Sequence, residues 1–190
     1  LLQAEGLQVE VVREGGQPAV IGHLPAPEGA PTVLLYAHHD VQPPGESGWD
    51  TDPFEPTQVG ERLYGRGVAD DKAGVMAHVA ALRAHGGRPP VGVTVFVEGE
   101  EEVGSESLPR ILERHGDQLA CDAIVLADSH NWKIGVPALT TTLRGMVRVV
   151  VEVRALDHGV HSGLYGGAVP DGLTALARLL ATLHDEAGDV

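Results

Sequence analysis

Residues 91–97 read Val-Gly-Val-Thr-Val-Phe-Val, set between Pro89-Pro90 and an acidic run that starts at Glu98. A stretch so rich in β-branched and apolar residues, without polar alternation, fits a strand buried on both faces, and such a strand needs a covering layer on each side. Helix-period stretches flank it. Over 71–85, Val75, Met76, Val79 and Leu82 recur at helical spacing, and Gly86-Gly87 followed by Pro89-Pro90 stops the pattern. A second helix is predicted over 105–115, leading into another apolar strand over 123–127. Three short strands come earlier, over 8–12, 19–24 and 32–37. The β-α-β-α-β string predicts an α/β fold with a mainly parallel sheet flanked by helices.

The pattern changes after Gly135-Val136-Pro137. Residues 147–153 alternate valine with charge like a half-exposed strand, a glycine-rich loop runs to Gly167, and Pro170 opens a helix expected to reach about Ala187. The chain is therefore divided into 1–140 and a second module over 141–190. One strand, a loop and one helix do not close a core, so this module is expected to be cut off at Val190.

Composition narrows the partners. With 13 Lys and Arg against 27 Asp and Glu, the net charge is -14 at pH 7, which repels nucleic-acid phosphates and anionic membrane surfaces. No run approaches the roughly 18 apolar residues that cross a bilayer. The single cysteine, Cys121, forbids an internal disulfide framework and suits a reducing compartment, so a cytoplasmic location is expected. The opening Leu1-Leu2-Gln3-Ala4 shows no basic region or cleavage signature.

Residues able to do chemistry gather where apolar strands run out, and in a parallel sheet such ends converge on one crevice. His38, His39 and Asp40 follow the strand over 32–37. Neutral imidazole is the commonest metal ligand, and a carboxylate two residues on can share its side of an extended chain and orient it; the same residues also read as a polar strand end capping a loop. Asp70 and Asp71 open the first helix after Gly65-Arg66-Gly67, where Asp70 as N-cap with Asp71 in the first turn is the plain alternative. Glu98, Glu100, Glu101 and Glu102 place four acids in five positions, which repel one another unless a cation sits among them or solvent bathes the loop. Asp128 ends the strand over 123–127. A set of His and carboxylates suits Zn(II), Mn(II) or Co(II) better than Mg(II), and two metals sharing a bridging carboxylate are used for hydrolysis. No Gly-x-Ser-x-Gly elbow occurs, Cys121 has no activating neighbour, and Gly65-Arg66-Gly67 lacks the third glycine of a dinucleotide loop.

In this order and spacing, the four segments resemble the dinuclear-zinc metallopeptidase and deacylase family, which includes carnosinase-type dipeptidases, glutamate carboxypeptidase, acetylornithine deacetylase and succinyl-diaminopimelate desuccinylase. Trp49-Asp50-Thr51-Asp52-Pro53-Phe54-Glu55-Pro56 is similar to the dipeptidase branch. The resemblance implies a zinc-exopeptidase-like sheet followed by the start of a smaller, ferredoxin-like α+β lid and dimerisation domain. It implies that His38 binds one metal, Asp40 orients it, and Asp70 bridges two metals. Glu102 and Asp128 then ligate the first and second metal, and Glu101 is the general base. His39 stands where the family often has Tyr and is not a ligand by this reading, the Asp70–Asp71 peptide is characteristically cis, and Glu98 and Glu100 receive no direct role.

His161, followed by Ser162-Gly163, resembles a histidine that reaches into the active site of a dimer partner, although three residues separate it from Asp157 where many relatives have a shorter gap. The implied activity is hydrolysis of an amide bond in dipeptides or short peptides by a homodimer holding two divalent ions, zinc first and Mn or Co as alternatives. N-acyl amino acid deacylation and a non-catalytic metal-binding or dimerisation module are the competing readings. A last His ligand and substrate-carboxylate contacts of the family have no counterpart in the matched segments. The resemblance thus implies an internal piece of a longer chain, with one metal ligand short and no activity on its own.

Overall fold

The computed structural model describes residues 1–189 and divides into two units, Leu1–Thr140 and Thr141–Val190. The first unit contains, in chain order, β1 (Gln8–Val12), β2 (Ala19–Leu24), β3 (Thr32–His38), β4 (Thr57–Val59), β5 (Arg62–Tyr64), α1 (Lys72–Ala84), β6 (Gly92–Glu98), α2 (Leu108–Leu119) and β7 (Ala123–Leu126). Five of these strands form one sheet in the order β1-β2-β6-β3-β7. The β6–β3 and β3–β7 pairings are parallel while β1–β2 and β2–β6 are antiparallel, so β2 alone runs against the other four strands. This is the mostly parallel α/β sheet that the sequence pattern predicts.

Every residue of β6 is buried, as its composition requires. Alternation sends Val93, Val95 and Val97 into a cluster with Val79 and Leu82 of α1, while Phe96 joins Ile111 and Leu119 of α2 in a second cluster. The two helices thus cover opposite faces of one strand, and each large apolar side chain so buried contributes about 1.5–3 kcal/mol. Past α1, Gly86 (φ 58°) and Gly87 (φ 70°) adopt left-handed backbone that ends the helix at the predicted place.

Helix α2 departs from the expected 105–115. It starts later because the chain first makes a 3-10 turn over Glu101–Val103, and Gly104 (φ 93°) and Ser105 (φ 55°) then reverse the backbone. It also runs on to Leu119, which lies in the same buried cluster as Ile111. The β4–β5 hairpin has no counterpart in the sequence reading, since its three-residue strands are largely exposed and show no period.

The second unit holds α3 (Ser162–Tyr165) and α4 (Gly172–Ala181). The strand expected over 147–153 is not formed among the described residues, and the sheets contain no strand from this unit. A lone extended segment without a neighbour has nothing to take its backbone N–H and C=O groups, so a half-exposed valine pattern alone does not make a strand. The described regular elements of this unit are helical. Asp171 caps α4 by accepting from Thr174 N at 2.7 Å. The helix stops at Ala181 rather than Ala187, and Gly188 N instead closes a turn onto the Asp185 carbonyl at 3.1 Å.

Candidate metal centre

Because β3, β6 and β7 run parallel, their C-terminal ends lie along one sheet edge. Register pairs His38 with Glu98 and Tyr36 with Leu126, which brings Asp128, two residues past Leu126, level with His38. His38 is fully buried at 0% exposure. Its Nδ1 lies 3.2 Å from Asp40 Oδ1, and its Nε2 lies 2.9 Å from Asp70 Oδ1 and 4.0 Å from Glu101 Oε2. Ligand atoms of His38, Asp70 and Asp128 all fall within 4.8 Å of one another.

The start of α1 explains why Asp70 is available. The N-cap is Asp71 rather than Asp70: its Oδ1 accepts from Gly74 N at 3.1 Å and its Oδ2 from His38 N at 3.1 Å. Asp71 is thereby buried and ties the helix to the end of β3, while Asp70, joined to it by a cis peptide, faces the imidazole. Gly74 permits the close approach of α1 to β7, because a Cβ there would collide with the Ala127 carbonyl oxygen.

The acidic run separates into distinct roles. Glu98 is 2% exposed and accepts from the Tyr36 hydroxyl at 2.8 Å, while its Oε1 has no partner among the described residues. Glu100 turns away from the cluster, accepting from Gln17 N and Ser107 N, each at 2.9 Å. Glu101 turns toward His38. Glu102 is held by Gln42, whose Nε2 donates to Glu102 O at 2.8 Å and to Oε2 at 2.9 Å. Asp40 supports both neighbours, accepting from Glu101 N at 3.2 Å and from Glu102 N at 3.0 Å. His39 is engaged elsewhere, its Nε2 lying 2.8 Å from the Pro18 carbonyl. In the second unit His161 is exposed, and its Nδ1 accepts from Gly163 N at 3.0 Å.

Electrostatics reflect this crowding. Burial pushes the Glu101 pKa up, Asp128, Glu102 and Asp40 push it further, and His38 opposes them. For His38, burial favours the neutral ring, but the hydrogen bond with Asp70 and the charges of Asp40, Asp128 and Asp71 outweigh it and raise its pKa. Burial likewise raises Asp71 and Tyr36, the latter assisted by Glu98. His38, Asp70 and Asp128 bring one imidazole and two carboxylates close enough to share a divalent cation, and this mixed nitrogen and oxygen set fits one of the Zn(II), Mn(II) or Co(II) type, while Glu102 is not in that group.

The model of peptidase family M20/M25/M40 matches residues 34–187, a span that takes in every one of these site residues. The chain belongs to that family. It is 40% identical over 163 residues to a cysteinylglycine-S-conjugate dipeptidase of Corynebacterium striatum, covering 84% of this chain and 36% of the relative. It is 36% identical over 179 residues to the human Beta-Ala-His dipeptidase, covering 91% of this chain and 35% of the relative. Among solved structures, an M20 family metallo-carboxypeptidase from Sulfolobus solfataricus superposes with a TM-score of 0.76 at 27% identity, covering 100% of this chain and 44% of that one. Human carnosine dipeptidase 1 superposes with a TM-score of 0.66 at 31% identity, covering 100% and 43%. The chain thus spans little more than a third of the length of these two relatives.

Within this M20/M25/M40 chain, sequence reading missed two contributors at the site. Gln42 carries no charge and sits in a proline-rich loop, so only its placement two residues after Asp40 hinted at the shared side of the chain. Asp71 looked like an ordinary first-turn acid, and its double attachment to Gly74 and His38 emerges only from the fold.

Proposed function

We propose that this chain carries the metal centre of a metallodipeptidase that hydrolyses the amide bond of dipeptides. The observation that carries the reading is the convergence of His38, Asp70 and Asp128 within 4.8 Å, with the Glu101 carboxylate 4.0 Å from the same imidazole. The names of the relatives support dipeptides over other amides. His38, Asp70, Glu102 and Asp128 would hold two divalent ions, zinc first, with Asp70 between them and Asp40 fixing the His38 ring. When bound, such ions acidify water and polarise the amide carbonyl.

Glu101 then acts as the general base, taking a proton from the attacking water and returning it to the leaving amine. A raised pKa suits that double duty, since the carboxylate must both accept and release a proton. His161, contributed by the partner of a homodimer formed through the second unit, would donate to the developing oxyanion. The one thiol, Cys121, is consistent with a cytoplasmic, reducing setting. Among the described residues, no helix is long and apolar enough to cross a membrane.

Because this chain spans little more than a third of its relatives' length, the test is metal content by mass spectrometry together with hydrolysis of Cys-Gly and β-Ala-His by the full-length protein that contains it. About two ions per chain with dipeptide turnover supports the proposal. Turnover of N-acyl amino acids in place of dipeptides would make the protein a deacylase, and metal uptake with neither activity would make it a binding module.

A further inference from the structure

We infer that Gln42 is a positioning residue that presents Glu102 to the metal, an inference that rests on the metal reading proposed above. The 3-10 turn that carries Glu101 and Glu102 is gripped from one short segment, residues 40–42, by complementary chemistry. Asp40 accepts the turn's N–H groups at Glu101 and Glu102, and Gln42 donates to its Glu102 carbonyl at 2.8 Å. The same Gln42 amide also donates to Glu102 Oε2 at 2.9 Å. One carboxylate oxygen is therefore committed to Gln42, and Oε1 receives no donor from the described residues.

Residue type matters at this position. Asp40, Asp70, Glu101, Glu102 and Asp128 already load the edge with negative charge, so a carboxylate at position 42 would add repulsion and could not donate. A lysine would donate but would compete with the metal for Glu102. A carboxamide supplies N–H donors at zero charge and at the length that reaches both the Glu102 carbonyl and its side chain. Groups that hydrogen-bond a metal-ligating carboxylate fix its rotamer, and losing them typically lowers metal affinity by about 10- to 100-fold.

Gln42 is exposed, so its replacement can be read without a folding failure. The experiment titrates the full-length protein that contains this chain, and its Gln42→Ala, Gln42→Glu and Gln42→Asn variants, with Zn(II) against a chromophoric chelator. Co(II) absorption spectra and metal-free thermal melts are recorded in parallel. The expected result is an affinity about tenfold weaker in Gln42→Ala and weaker still in Gln42→Glu, with an altered Co(II) spectrum and an unchanged metal-free midpoint. Gln42→Asn, one methylene short, should fail to restore the wild-type spectrum. Wild-type Zn(II) affinity and Co(II) spectrum in Gln42→Ala would overturn the inference while leaving the metal reading intact. A wild-type chain that binds neither ion would overturn both.

Discussion

Glu100 offers the sharpest check on how the acidic run divides, because the fold gives it a structural task and no place at the metal. Its two oxygens accept separate backbone donors, Gln17 N and Ser107 N, each at 2.9 Å, so it joins the loop between β1 and β2 to the start of α2. It is 9% exposed, and Ser107 is 2% exposed. A hydrogen bond to an ionised group is worth about 1.5–3 kcal/mol, and a buried donor left empty adds its own cost. Water can replace the carboxylate at the less buried Gln17, so Glu100→Ala should destabilise the first unit by about 3 kcal/mol.

With a urea m-value of about 2–3 kcal/mol/M, that loss moves the denaturation midpoint down by about 1–1.5 M, read by far-UV circular dichroism. Hydrogen bonds from Ser107 and Gln17 hold the Glu100 carboxyl below its usual 4.5. A depressed folded-state pKa means that the unfolded chain binds more protons, so this contribution is full above about pH 4.5 and is lost as pH falls through the folded-state value. Wild type should therefore lose more stability than Glu100→Gln on acidification from about pH 5 to pH 3. A Glu100→Ala midpoint within about 0.2 M of wild type, or equal acid losses in wild type and Glu100→Gln, would refute the staple.

Three further outcomes follow from the same geometry. In the full-length protein, Glu101→Ala should abolish dipeptide turnover while metal content stays at the wild-type level, and near-normal kcat would remove Glu101 from its role as base. Leu82→Ala, which empties a 2% exposed position between α1 and β6, should cost about 2–5 kcal/mol in urea denaturation, and a loss under about 1 kcal/mol would contradict the packing of that face. Gly74→Ala drives a methyl into the Ala127 carbonyl and should both destabilise the first unit and weaken Zn(II) binding through displaced Asp128. A soluble variant with wild-type stability and affinity would show that α1 need not lie so close.

Much of the first unit was legible because its decisive signals are local. The all-apolar β6, the paired glycines after α1 and the acids at strand ends each reflect one requirement of burial or charge that a short window of sequence exposes. What stayed hidden depends on partners distant in the chain. Glu100 and Glu102 are neighbours in one run, yet one serves Gln17 and Ser107 while the other serves Gln42, and nothing in the run itself distinguishes them. Asp70 and Asp71 exchanged the capping role for the same reason, since the burial of Asp71 against His38 N exists only once β3 and α1 meet. In the second unit the valine alternation over 147–153 was a true pattern without a pairing partner among the described residues, and a strand is a property of the pair.

Asp40 shows why a site so heavily acidic can hold its shape before any cation arrives. Its carboxylate meets His38 Nδ1 at 3.2 Å and the backbone N–H groups of Glu101 and Glu102 at 3.2 and 3.0 Å. Each of those contacts draws its charge toward a donor, which offsets part of the repulsion that Asp40 exerts on Glu101. The same three contacts couple the end of β3 to the turn after β6, which sets the ring of a proposed ligand and the backbone of the proposed base from one atom group. On the proposed reading, metal affinity and base placement are therefore coupled through Asp40. A substitution at Asp40 acts on both at once, whereas one at Gln42 acts on Glu102 and reaches Glu101 only through the shared turn.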